Sequence, residues 1–453
     1  MSIERTRHAP SVRRSASRLV ALAAVVLGLV VAVPVADAAS GTTKVTTLGS
    51  SVTFYGRGAG HGVGMSQYGA RGRARAGQTA TQILAAYYRT ARRATTDPDR
   101  VVRVLLLDGV PATTDDPIVI HGRGGPWTVD KVEGTFPADA ELRVWQPDVT
   151  LEDVPAPGPQ LEVVDAEGAT LIAVSSPTRV MVRPADPATR LQVDAKGPGH
   201  DTYHGALKVV LDGPSARVIN RVGLDDYVRS VLPAEMPSGW ARAALRAQAI
   251  ASRSYAVRRL HPGSGAFDLY DDTRTQVYLG VDVETERTNA IVDGDPGAIL
   301  VKGKHDRAIN AFYHSTGGGA TENNEYAFVG PSGAVTASPV KYLRGFRDVA
   351  ADGTPFDAAS PYASWKTATL TRAQLSAIFE KDARTNVGDL RKLDLTHRGV
   401  SGRLYRVTLI GTKGSKTVSK TVSANVFVSV YNAGRPAGST PLRSTLFDTK
   451  PSH

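Results

Sequence analysis

Glu235 stands in the run PAEMPSGW, with an apolar-laced stretch before it, Met236 and Pro237 after it and Trp240 close by. Such neighbours are expected to leave its carboxyl only partly hydrated. Desolvation disfavours the charged form and raises the pKa, which suits a general acid working near neutral pH. Read from residue types alone, the same position also fits an ordinary helix-cap or surface glutamate. The helical run that follows places Arg242, Arg246 and Arg253 along one face, four and seven residues apart. That stripe could bind carboxylates or sugar hydroxyls beside Glu235, or be a solvated face.

Two glycine-rich segments supply the other polar candidates. GRGAGHGVGMSQYG presents His61, Ser66, Gln67 and Tyr68, and AFYHSTGGGATE sets His314 before three glycines. Glycines let backbone approach a ligand or another segment closely. The first segment is not a nucleotide loop, because it has no G-x-G-x-x-G register, no P-loop Lys and no nucleophile elbow at Ser66. The two histidines lack metal-ligand spacing, so no metal and no cofactor are expected.

Positioning these groups falls to a few elements. Pro233 and Pro237 are expected outside any helix, which puts Glu235 on a short connector between helices at 224–232 and 241–260. Ile83, Leu84, Tyr87 and Tyr88 recur at helical spacing after the first glycine-rich segment. Between 101 and 220, short β-branched runs such as VVRVLLLD, RVMVRP and ALKVVLDG alternate with Gly, Pro or Asp and read as antiparallel strands. Strands are expected at 298–301, 308–314 and 405–410, a helix at 371–381 capped by Thr371, and a surface loop at 330–361. The fold class is α+β: mixed, mainly antiparallel sheets with a few packed helices, a cleft between sheet and helices, and a β-rich insertion.

Composition narrows the setting. The chain has 453 residues, no Cys and a net charge of +11. Zinc fingers, iron–sulfur centres, thiol nucleophiles and disulfide scaffolds are thereby excluded. Arg5, Arg7, Arg13, Arg14 and Arg18 precede the apolar run from Leu19 to Ala36, and Ala36-Asp37-Ala38 offers a cleavage site. Residues 1–38 read as a secretory signal peptide, with membrane attachment only if the segment stays uncleaved. Without them the charge is about +8. On an exported protein nucleic acid is a poor partner, and basic surface suits anionic wall polymer or lipid headgroups, unless it is ordinary solubility charge.

At these segments the sequence resembles the stage II sporulation protein D / LytB (SpoIID/LytB) family of peptidoglycan-remodelling proteins. The matching blocks are YHGALKVVLDG, VINRVGLDDYVRSVLPAEMPSGW, ALRAQAIASRSYA, DTRTQVYLG, NAFYHSTGGGATE and PLRSTLFD, together with the first glycine-rich motif. The resemblance implies a secreted or wall-associated lytic transglycosylase. Such an enzyme cleaves glycan strands after N-acetylmuramic acid, preferably peptide-free strands, and leaves 1,6-anhydro ends. It implies Glu235 as the acid, with Arg246, Arg253 and His314 at the substrate, and His61, Gln67 and Tyr68 are expected to line the same cleft. Two departures stand out. Arg246 replaces the family's usual Lys, which keeps charge but not shape. The Gly-His-Gly motif, normally late, comes first here, as though the domain were circularly permuted.

The resulting layout is a signal peptide at 1–38, a glycine-rich motif and helix of the catalytic domain at 41–100, a β-rich region at 101–205 and a SpoIID-like core at 206–448. Hydrolytic glycosidases normally need two carboxylates. A lytic enzyme uses the sugar's own 6-hydroxyl, so one glutamate suffices. A binding role is the alternative reading: some relatives stimulate a peptidoglycan amidase, and the cleft would then only hold glycan.

Overall fold

The computed structural model describes residues 44–147, 158–261 and 263–451. The segment read as a signal peptide lies outside them. The helices among the described residues are α1 (Gln67–Arg75), α2 (Ala80–Tyr87), α3 (Leu224–Glu235), α4 (Arg242–Arg259), α5 (Glu286–Asp293), α6 (Asn324–Ala327), α7 (Arg372–Glu380) and α8 (Ala424–Gly434). With mainly antiparallel strands around them, the fold is α+β. None of these helices is long and apolar enough to cross a membrane.

One six-stranded sheet has the order Leu269–Tyr270, Val101–Pro111, Ser215–Gly223, Ala206–Asp212, Arg179–Pro184, Trp127–Val129. Its strands alternate, with Leu207, Val209 and Leu211 buried and Lys208 and Val210 turned out. The sheet runs through position 205, since Arg179–Pro184 pairs with 207–210 and Val101–Pro111 with 215–223. The β-rich run is therefore continuous with the strands after it. A second six-stranded sheet, from Thr170–Ser175 to Thr202–Tyr203, shares the same core.

Helix α4 is central, packing on α1, α2, α3, α5 and the strand Ala298–Lys302. Small residues make this possible, as Ala244, Ala247 and Ala251 are fully buried and let neighbours close in. Helix α2 adds Ile83, Leu84 and Tyr87 to the core, each contributing about 1.5–3 kcal/mol by burial. Its N-terminus is fixed by a capping box between Thr79 and Gln82. Thr371 caps α7 in the same way, with Gln374 as the reciprocal partner.

Helix α1 was not expected, because its glycines are poor helix formers. Packing overrides that preference. A Cβ on Gly69 would overlap the Tyr87 hydroxyl and the Asp348 carboxylate, and one on Gly72 the Phe356 carbonyl. Asp348 anchors the 330–361 loop here, accepting from Arg73 Nε (2.9 Å) and from the Tyr87 hydroxyl. The strand expected at 308–314 is interrupted, because the Phe312 N–H turns back onto the Asn310 carbonyl (2.9 Å). Arg307–Ala308 and Tyr313–His314 remain as separate strands.

The N-terminal segment is stitched into the rest. Tyr55–Gly56 lies between Trp365–Lys366 and Phe447–Asp448, and Arg92–Thr95 pairs with 298–301. Phe54 enters a second core built on α7 and α8, edge-on to Phe427, Tyr431 and Phe447 at 5.3–5.8 Å.

Candidate active site

Glu235 is the last residue of α3 rather than part of a free connector. Pro233 is tolerated inside that helix because it forfeits one N–H bond close to the end, and Met236 N–H closes the final turn on the Leu232 carbonyl (3.0 Å). The first turn carries Asp225 and Asp226, where the helix dipole favours them. Its far end, where Glu235 sits, disfavours a carboxylate.

One carboxylate oxygen of Glu235 accepts from Val277 N–H at 3.1 Å. Burial pushes the carboxyl above its usual range, opposed by the Val277 N–H, the Tyr313 hydroxyl and the Gln67 side chain. Behind it, Gln276 Nε2 donates to the Tyr313 hydroxyl (3.0 Å), and the Tyr227 hydroxyl donates to Gln276 Oε1 (3.1 Å). The segment 272–280 is thus a wall of the site: Val277 N–H holds Glu235, and Leu279 N–H reaches Ser230 Oγ at 3.1 Å.

The glycine-rich motif forms the opposite wall. Met65–Ser66 pairs in parallel with Tyr313–His314. Ser66 Oγ accepts from Gly69 N–H (3.0 Å), capping α1, and from Gly317 N–H (3.1 Å). That cap starts α1 at Gln67, whose Nε2 donates to the Glu235 backbone carbonyl at 3.0 Å. One residue on, the half-buried Tyr68 ring packs edge-on against Trp240, centroids 4.8 Å apart, and the Arg71 guanidinium lies 5.1 Å from the Trp240 ring. An aromatic ledge of Tyr68 and Trp240 therefore follows directly on Gln67, which holds the end of α3.

Other expected residues stand elsewhere. Arg253 is fully buried, with Nε against Asp225 Oδ1 (2.5 Å) and Nη2 donating to the Val292 carbonyl (2.9 Å), so it is held in a core ion pair. Arg246 is partly exposed, with Nε on Asp295 Oδ2 at 3.0 Å. Two arginines of the α4 stripe, Arg246 and Arg253, thus engage carboxylates of the protein itself. His314 follows Tyr313 in a strand, where successive side chains point to opposite faces. Tyr313 meets Gln276, whereas His314 is buried with Nδ1 3.2 Å from the Val63 carbonyl and its ring 5.5 Å from that of His61. His61 Nδ1 accepts from Val63 N–H (3.0 Å).

Burial, then the Arg403 guanidinium, lowers His61 to about 4. Burial, then His61 and Arg403, holds His314 well below its usual value. Both are neutral at physiological pH. His61 borders a cavity of about 210 Å³ with Tyr405 and Arg443, separate from the Glu235 contacts described. Among the described residues no cluster of three or more His, Asp or Glu is arranged to hold a metal.

Gln276, Tyr313 and Arg71 were not anticipated. The signal for Gln276 was present, since DTRTQVYLG is one of the blocks that carry the resemblance. Tyr313 was hidden beside the more conspicuous histidine.

A sequence profile of the SpoIID family, described as stage II sporulation protein, matches residues 212–301. That span contains Glu235, Arg246, Arg253 and Gln276. Stage II sporulation protein D of Bacillus subtilis is 30% identical over 210 residues, 43% of this chain and 57% of that protein. The amidase enhancer of Bacillus subtilis is 31% identical over 170 residues, 37% of this chain and 18% of its own length. An uncharacterized protein of Brachyspira hyodysenteriae is 33% identical over 129 residues, 28% of this chain and 34% of that protein. The profile and these relatives support the SpoIID/LytB family for this part of the chain. The matches span at most about three-fifths of these relatives' own lengths.

Proposed function

We propose that the protein is an exported lytic transglycosylase acting on peptidoglycan glycan strands, with Glu235 as its single acid and base. The observation that carries this reading is the Glu235 carboxyl itself. It is raised by burial, held by one backbone N–H and set beside the Tyr68–Trp240 ledge.

Protonated Glu235 donates its proton to the glycosidic oxygen as the bond from that oxygen to C1 of N-acetylmuramic acid breaks. The resulting carboxylate takes the proton of the C6 hydroxyl as O6 bonds to C1. The product is a 1,6-anhydro end, and the glutamate is protonated again. No water enters, so one carboxyl with a pKa near the working pH suffices. Val277 N–H fixes its orientation, and Gln67 ties the glycine-rich wall to it. Mass spectrometry of glycan strands incubated with the protein tests the reading: anhydro ends are expected, and hydrolytic ends alone would overturn it. Peptide-free strands are expected to react faster than peptide-bearing ones.

A second reading has its own support in the relative named amidase enhancer. The ledge would then hold glycan and the protein would stimulate a peptidoglycan amidase. Amidase turnover that rises on adding protein with Glu235→Gln, without glycan cleavage by the unsubstituted protein, would favour it.

A further inference from the structure

The outer face of the sheet that contains Val101–Pro111 carries a run of cations, of which Arg103 is paired with Asp268. Arg103 stands directly opposite Arg221. Arg221 pairs with Ala206, two residues from Lys208, and Lys208 pairs with Met181, two residues from Arg179. Residues two apart on a strand share a face. Arg103, Arg221, Lys208 and Arg179 therefore form a diagonal row across four adjacent strands, with neighbours roughly 5–8 Å apart. Like charges opposed across strands destabilise a sheet. Partial burial, then Arg179, Arg221 and Arg103, holds Lys208 below its usual value.

The row runs into two adjoining concavities. One, of about 360 Å³, is lined by Arg100, Arg103 and Arg221. The next, of about 340 Å³, is lined by Arg100, Arg258 and Arg307, and Arg100 and Leu260 border both. Their acids are already engaged, Asp268 by Arg103 at 2.7 Å and Asp306 by Arg92. Among the described residues, Arg100, Arg179, Lys208, Arg221, Arg258 and Arg307 make no ion pair with a carboxylate.

We propose that this track binds a linear phosphate-bearing polyol, a phosphodiester chain, at a site distinct from the glycan cleft. Guanidinium forks match phosphate oxygens bidentately. A flexible chain can seat successive phosphates in the two concavities and along the row, whereas a flat headgroup layer would meet only their rims. The residues lining the two concavities include none of Glu235, Gln67, Tyr68, Trp240 or Val277.

Equilibrium binding of the full protein to soluble poly(glycerol phosphate) tests this, with phosphatidylglycerol vesicles and phosphate-free chitooligosaccharide as the other arms. The triple variant Lys208→Gln, Arg221→Gln, Arg307→Gln is expected to bind the polymer at least tenfold more weakly. Its affinity for the oligosaccharide should be unchanged, and its melting temperature unchanged or raised because like-charge repulsion is relieved. The dependence of binding on salt should also become shallower in the variant, since fewer phosphates are neutralised. Should the triple variant melt early, the exposed single substitutions Arg307→Gln and Arg179→Gln are each expected to weaken polymer binding two- to threefold. No polymer binding by the unsubstituted protein, equal binding by the variants, or vesicles bound as tightly as the polymer would each overturn the proposal. None of these readouts depends on glycan cleavage.

Discussion

Gln67 donates its side-chain amide to the backbone carbonyl of Glu235 at 3.0 Å, joining residues 168 apart in the chain. This bond attaches the glycine-rich wall to the end of α3 itself. The carbonyls ending a helix have no partner within it, so Gln67 satisfies one that would otherwise need water. The amide also stands against the Glu235 carboxyl, and a shift of α1 would move Tyr68 and the carboxyl together.

Glu235→Gln is expected to abolish glycan cleavage, a loss of at least about 10²–10⁴-fold for a general acid, while the amide oxygen still accepts from Val277 N–H. The fold should become more stable at neutral pH. The folded-state pKa lies above the usual 4.5, so the native carboxyl costs stability above that pKa and costs nothing once both states are protonated below about 4.5. Melting curves should show the variant ahead at pH 7 and the gap closing towards pH 4. A variant that cleaves normally would remove Glu235 from the mechanism.

Trp240→Ala and Tyr68→Ala should act on binding. Each removes one face of a packed ring pair, and aromatic contacts contribute about 0.5–1.5 kcal/mol beyond area burial. Initial rates over a range of glycan concentrations should show KM rising roughly tenfold with kcat little changed. A fall in kcat alone would instead mean that the ledge positions the acid.

Arg253→Met is expected to be a stability variant. Removing one partner of a buried ion pair typically costs about 3–5 kcal/mol, here by leaving Asp225 uncompensated. Thermal or denaturant unfolding should show the loss, while KM for glycan measured well below the new melting temperature stays put. A raised KM in a fully folded variant would put Arg253 at the substrate after all.

The histidine pair predicts an acid-sensitive fold. With His61 lowered from 6.5 to about 4, the unfolded chain binds more protons across that window, and stability falls as pH drops through it. His314 acts in the same direction. Glu322, Asp348 and Asp357 are raised by burial and oppose the trend, so the informative quantity is a difference. His61→Asn should lose less melting temperature than the unsubstituted protein between pH 6.5 and 4. Identical slopes would show that His61 titrates normally, and an NMR titration should place its midpoint near 4.

Much of this was legible in the chain. Helix α4, the Thr371 cap and the antiparallel runs follow from period and capping chemistry, and Glu235 stood out through its neighbours. The rest depended on tertiary partners. Nothing local to Arg253 reveals that Asp225 waits for it, because the ion pair joins the start of α3 to the middle of α4. Helix α1 contradicts glycine's own preference, and only the proximity of Tyr87, Asp348 and Phe356 explains it. Tyr313 and His314 show how alternation in a strand sends adjacent residues to different neighbourhoods.

The strand Tyr55–Gly56, held between Trp365–Lys366 and Phe447–Asp448, has a consequence for biosynthesis. Its neighbours are made hundreds of residues later, and contacts this distant in sequence close slowly. Ribosomes must therefore deliver residue 448 before the segment leading into the glycine-rich motif can be clamped from both sides. A nascent or prematurely terminated chain lacks that clamp. The clamp on this segment is thus among the last parts of the fold to close, a timing written into strand order.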